Sequence, residues 1–100
     1  MTDRDMLIQY VRDPRTNKRR GVVLAVKLIT PHGLFRPVVM MGWSYTNIKA
    51  GDAFDKHRGV TIALGRAANG TAGTVPYAAR KIWARMADRA SKYFKTNVVI

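Results

Sequence analysis

The stretch DAFDKHRGVTIALGRAANG, residues 52–70, gathers the residues best suited to chemistry: glycines, bases, carboxylates and a histidine around a short apolar run. A phosphate cradle of the P-loop kind needs Gly-x-x-x-x-Gly-Lys-Ser/Thr. Loop amides hold the phosphates there, while the Lys and the hydroxyl meet the γ-phosphate and Mg²⁺. Gly59 and Gly65 instead have five residues between them rather than four, and Arg66-Ala67 stands where the Lys–hydroxyl pair belongs. The dinucleotide pattern Gly-x-Gly-x-x-Gly is missing as well. A nucleotide-cradling loop is not expected.

Other chemistry finds no better footing. A metal site needs several converging ligands, and the chain offers His32, His57 and six Asp. Asp55 and His57, two apart on a helix, do not share a face. Ser44 and Ser91 are the only serines, and neither sits in a nucleophile elbow. A Mg²⁺ nuclease needs clustered carboxylates, yet the six Asp are scattered, and the pair Asp52 and Asp55 is accounted for by helix capping. The reading is a binding protein with no catalytic residue, metal or cofactor.

Charge carries more information. Eighteen Lys and Arg face six acids, all Asp, for a net +12 on 100 residues. Such an excess repels itself and is more easily kept if a polyanion neutralises it, and nucleic acid is the commonest in a cytoplasm. Cysteine is absent, which excludes disulfides and fits a reducing compartment. No apolar run approaches the ~20 residues that span a bilayer. The opening MTDRDMLIQY lacks a basic segment followed by an apolar one, so no secretory signal and no membrane partner are expected.

The elements that must position these charges divide the chain in two. MLIQYVR (6–12) and GVVLAVKLI (21–29) read as strands joined through DPRTNKRR, a hairpin with a basic tip. TPHG (30–33) is a second turn, and LFRPVVMMGWSY (34–45) a third strand whose Pro37 argues for an edge or a bulge. Asp52 is the expected N-cap of a helix over 52–69, with Asp55 completing a capping box. Val60, Ala63, Leu64 and Ala67 recur at helical spacing, and Asn69-Gly70 is a stop. Gly59 and Gly65 count against that helix, and Val60, Ile62 and Leu64 also alternate as a strand would; the helix is the better reading, its glycines permitting close packing. NGTAGT (69–74) connects it to a second helix over 76–95. There Ala79, Ile82, Trp83, Met86, Ala87, Ala90, Tyr93 and Phe94 share one arc, opposite a basic arc. TNVVI (96–100) could add a final short strand. The expected fold is α+β: a three-stranded antiparallel meander followed by two helices packed on one face, in a single domain over 1–100.

Gly42-Trp43-Ser44, followed by Asp52, Phe54, Asp55, Lys56, Gly59, Ile62, Ala63, Gly65, Arg66 and Ala67, resembles a pattern in small uncharacterised proteins of tailed bacteriophages. The resemblance covers about a quarter of the chain. It implies a phage-encoded protein acting in the host bacterial cytoplasm and attaches no reaction to it.

Three basic groups are the candidate nucleic-acid contacts. The hairpin tip carries Arg15, Lys18, Arg19 and Arg20 with no acid among them. The first helix projects Lys56, Arg58 and Arg66 outward. The outer face of the second carries Lys81, Arg85, Arg89 and Lys92, with Arg80 and Lys95 at its margins and Asp88 its one acid. No base-reading motif is present, so binding is expected through backbone phosphates, to DNA in preference to RNA and without strong sequence specificity. Tyr10, Phe35, Trp43 and Tyr45 are the strand aromatics that could stack bases. The rival reading is a phage inhibitor of a host protein, such as a defence nuclease or RNA polymerase. A homodimer through the Val-rich strands and Met40-Met41 stays open.

Overall fold

The computed structural model describes residues 6–29, 37–46, 54–70, 73–95 and 98–99. The turn at 30–33 with His32, the lead-in with Phe35, Asp52, and part of the 69–74 connector lie outside the described residues. Strands β1 (Met6–Arg12) and β2 (Arg19–Ile29) form the expected hairpin, and β3 (Pro37–Tyr45) pairs antiparallel with β2. Pro37 is the first residue of β3, where a missing N–H is tolerated. The register shift lies elsewhere: Val11 pairs with Gly21 and Arg12 with Arg19, which leaves Arg20 of β2 as the extra residue. The short strand β4 (Val98–Val99) joins parallel to β3, opposite Val39 and Met40, for a sheet order β1-β2-β3-β4.

Helix α1 (Lys56–Asn69) settles the 59–66 stretch as helical. Its N-cap is Asp55, not the expected Asp52: the Asp55 side chain accepts from the Arg58 amide at 3.1 Å. Gly70 closes it in the left-handed region (φ 64°), as the Asn-Gly pair predicts. The second helical stretch is divided. A 3₁₀ turn, Tyr77–Ala79, leads into α2 (Arg80–Phe94). The element order and the α+β class are those expected, and no helix among the described residues is long and apolar enough to cross a membrane.

The placement of the helices differs from the expectation of a single shared face. Val22, Leu24 and Val26 pack with Ala63 and Ala67 of α1, whereas Val23 and Ala25 pack with Ala79, Met86 and Ala90. Neighbouring residues of a strand point to opposite faces, so the sheet is sandwiched between α1 and α2. The physical cause is in β2. Its run from Val22 to Val26 is fully buried at every position, and a central strand with no polar alternation needs cover on both sides. Two small cores result in place of one.

Close approach of α1 depends on small residues. Its buried stripe is Gly59, Ala63 and Ala67, and it rests against Gly42 of β3. A Cβ at Gly42 would overlap the Ala63 carbonyl and lie 3.0 Å from the Ala67 nitrogen. Gly59 likewise faces Ser44 and Phe54, at 3.1 and 3.2 Å from an added Cβ. Gly65 faces open space, so it does not serve packing as the sequence led us to expect.

Candidate nucleic-acid interface

The hairpin tip is built around Asp13. Its Oδ1 accepts from the Arg15 amide at 2.8 Å and the Thr16 amide at 3.4 Å, and its backbone N–H donates to the Lys18 carbonyl at 2.8 Å. Asn17 takes a positive φ of 59° and donates to the Asp13 carbonyl. Arg12 closes the turn from the side, Nη1 donating to the Asn17 oxygen at 2.9 Å. Donation by the Arg15 amide, aided by Thr16 and by the Arg20 and Arg15 charges against the opposing push of desolvation, holds the Asp13 carboxyl below its ordinary range.

The tip bases are therefore not equivalent. Arg15 and Lys18 point into solvent. The exposed Arg19 lays its guanidinium 4.2 Å from the centroid of the Tyr10 ring. Arg20 is tucked in, its Nε 3.8 Å from Asp13 Oδ2, so this base does have an acid set against it, contrary to the sequence reading.

Tyr10 joins the hairpin to the start of α1. On the α1 side of the sheet its ring meets Phe54 edge-to-face at 6.3 Å, and Phe54 immediately precedes the N-cap Asp55. Lys56 and Arg58, both exposed in the first turn of α1, are thus brought to the same end of the molecule as Arg15, Lys18 and Arg19. That turn contains no acid. Cations at the positive end of a helix dipole are unfavourable by about 0.3–1 kcal/mol each at low salt. A chain shaped only for stability would place carboxylates there.

Arg66 does not belong with them. It is half-buried, its guanidinium 4.0 Å from the Trp43 ring centroid, and Nη1 donates to the Trp43 carbonyl at 2.7 Å. The expectation that it projects outward fails because the long side chain lies along β3, stacking on the indole.

Lys81, Arg85, Arg89 and Lys92 are exposed on α2, which covers the other side of the sheet. Asp88 pairs with Lys92 at 3.1 Å. Arg80 donates from Nε to the Val75 carbonyl at 3.4 Å and lies 5.7 Å from the Tyr77 ring centroid. Arg85 and Arg89 flank a cleft of about 140 Å³ with Gln9, Ile82 and Met86. The expected apolar arc is seated in the core except for Tyr93, which is half-exposed and stacked edge-to-face on Phe94 at 4.9 Å.

Among the strand aromatics, Tyr10 and Trp43 are half-buried and engaged by arginines, Phe35 lies outside the described residues, and Tyr45 is exposed beside Gly21. Sequence reasoning passed over Arg12 and the highly exposed Tyr77. The position of Arg12 at the end of a strand entering a turn was the available signal for it. Among the described residues no three His, Cys, Asp or Glu converge as a metal site would require. The chain matches no family model, no curated protein and no solved structure.

Proposed function

We propose that this is a small phage accessory protein of the host bacterial cytoplasm that binds nucleic acid, DNA in preference to RNA, through backbone phosphates. It acts as a binding protein rather than an enzyme. The contact surface is the end of the molecule where the hairpin tip meets the start of α1, with Arg15, Lys18, Arg19, Lys56 and Arg58 as its bases. One observation carries the reading: every acid among the described residues is already committed. Asp13 holds the hairpin turn, Asp55 caps α1, and Asp88 pairs with Lys92. Among the described residues no acid is left over for the cations at this end. The phage attribution rests on the Gly42–Ala67 pattern alone.

Fluorescence anisotropy with duplex DNA, single-stranded DNA and RNA across a salt series tests it. Neutralisation of about five phosphates gives a log–log salt slope of roughly −4 to −5 on duplex. A flat response, or a stoichiometric host protein captured from nuclease-treated lysate, overturns the reading in favour of the inhibitor.

A further inference from the structure

We propose that the outer face of α2 is a second, independent polyphosphate surface, so that one molecule holds two nucleic-acid segments and bridges them. The inference rests on the nucleic-acid reading above and extends it to stoichiometry.

The geometry separates the two surfaces. α1 packs on the side of the sheet lined by Val22, Leu24 and Val26, and α2 on the side lined by Val23 and Ala25. Their outward faces point in opposite directions, with the sheet between them. The Cα envelope is 44 × 25 × 22 Å. DNA grooves are about 6–12 Å wide, so a protein body of this thickness cannot lie in one groove and present both faces to its walls. A duplex is stiff over about 150 base pairs. A short one lies along one surface and leaves the other unoccupied.

The α2 face is organised to receive a phosphate strand. Lys81, Arg85, Arg89 and Lys92 follow one another at helical spacing along its exposed side, a stripe of about 16 Å at 1.5 Å per residue. Laid along a duplex axis, that length spans about five phosphates of one strand at 3.4 Å of axis each. Arg85 and Arg89, one turn apart, flank the cleft that also exposes Gln9. Two guanidinium groups and an amide can donate together to phosphate oxygens there. Asp88, the one acid on this helix, is taken by Lys92. A merely solvated helix face is usually of mixed sign.

The test uses two duplexes of about 14 base pairs, too short to wrap around the protein. One is immobilised on beads and the other is fluorescent. Wild-type protein is expected to retain the fluorescent duplex at intermediate concentration and to release it in excess, when each duplex takes its own protein. The Arg85→Gln/Arg89→Gln variant is expected to bind a single duplex within about threefold of wild type yet to abolish retention. Circular dichroism confirms that it is folded. If wild type binds one duplex but never retains a second, bridging is wrong and the nucleic-acid reading stands. Retention by the double variant also overturns the proposal, since bridging would then come from self-association. If no duplex binds at all, the nucleic-acid reading itself has failed.

Discussion

The Arg66 guanidinium carbon lies over the Trp43 indole, 4.0 Å from its centroid, while the same side chain donates a 2.7 Å hydrogen bond to the Trp43 carbonyl. One side chain of α1 thereby ties the helix to β3, beyond Val39 and Met40 where β4 pairs. The contact is half-buried, where a cation–π pair contributes about 0.5–2 kcal/mol and a charged hydrogen bond about 1.5–3. The two share one guanidinium and do not add. Arg66→Ala is expected to lower unfolding stability by about 2–3 kcal/mol in urea melts. Arg66→Lys recovers only part of this, since a lysine cannot stack as a plane. Duplex affinity and its salt slope should hardly change. A slope lowered by about one at unaltered stability would return Arg66 to the interface.

Gly42 and Gly65 make opposite predictions from the same substitution. A methyl at Gly42 meets the backbone of Ala63 and Ala67, which cannot turn aside. Gly42→Ala is therefore expected to force α1 off the sheet, at a cost of about 3 kcal/mol or more. Gly65 is helical and its Cβ direction is open, so Gly65→Ala should stabilise by about 1 kcal/mol through helix propensity. Thermal melts of both variants check the pair. A tolerated Gly42→Ala would mean that α1 does not sit this close to β3.

The contrast between these glycines marks how far the sequence could be read. Element order was legible because periodicity is local: Met86 and Ala90 lie buried on α2 where their spacing put them. The continuous run Val22–Val26 carries the signal for two-sided cover, which the expectation of both helices on one face overlooks. The Gly42–Ala63 approach joins residues 21 positions apart and leaves no periodic trace. The committed acids were countable from sequence, but their partners were not. Asp13 is held by a turn whose hydrogen bonds depend on the left-handed backbone of Asn17. The same limit sent Arg66 to the surface in the sequence reading, since helical spacing gives a flank and not the ring waiting beside it.

Asp13 makes the hairpin tip sensitive to acid. Its carboxyl titrates below the ordinary value of about 3.9 because the folded turn favours the ionised form. A depressed carboxyl contributes stability that is present above the unfolded value and is lost as pH falls through the folded one. The tip is expected to stay closed through neutral pH and to loosen only below about pH 4, releasing the Arg15 and Thr16 amides. Their NMR shifts during an acid titration read this directly. Asp13→Asn should flatten that dependence. Amides of Arg15 and Thr16 that titrate at the ordinary aspartate value would show that the carboxyl is not held by them.

The first turn of α1 sets stability against binding. Asp55 caps the helix and the third helical position is Arg58, where a glutamate would complete a capping box and face the positive end of the dipole. Arg58→Glu is therefore expected to stabilise the fold by about 0.5–1 kcal/mol. If the cation at this position contacts phosphate, the same change should weaken duplex binding and reduce the magnitude of the log–log salt slope by about one. Lys56→Glu should behave alike, with a smaller gain because it cannot reach back to the cap. Urea melts and anisotropy on the same variants separate the two effects. Stability that rises while affinity and slope stay unchanged would remove the start of α1 from the interface, leaving the hairpin tip to bind alone.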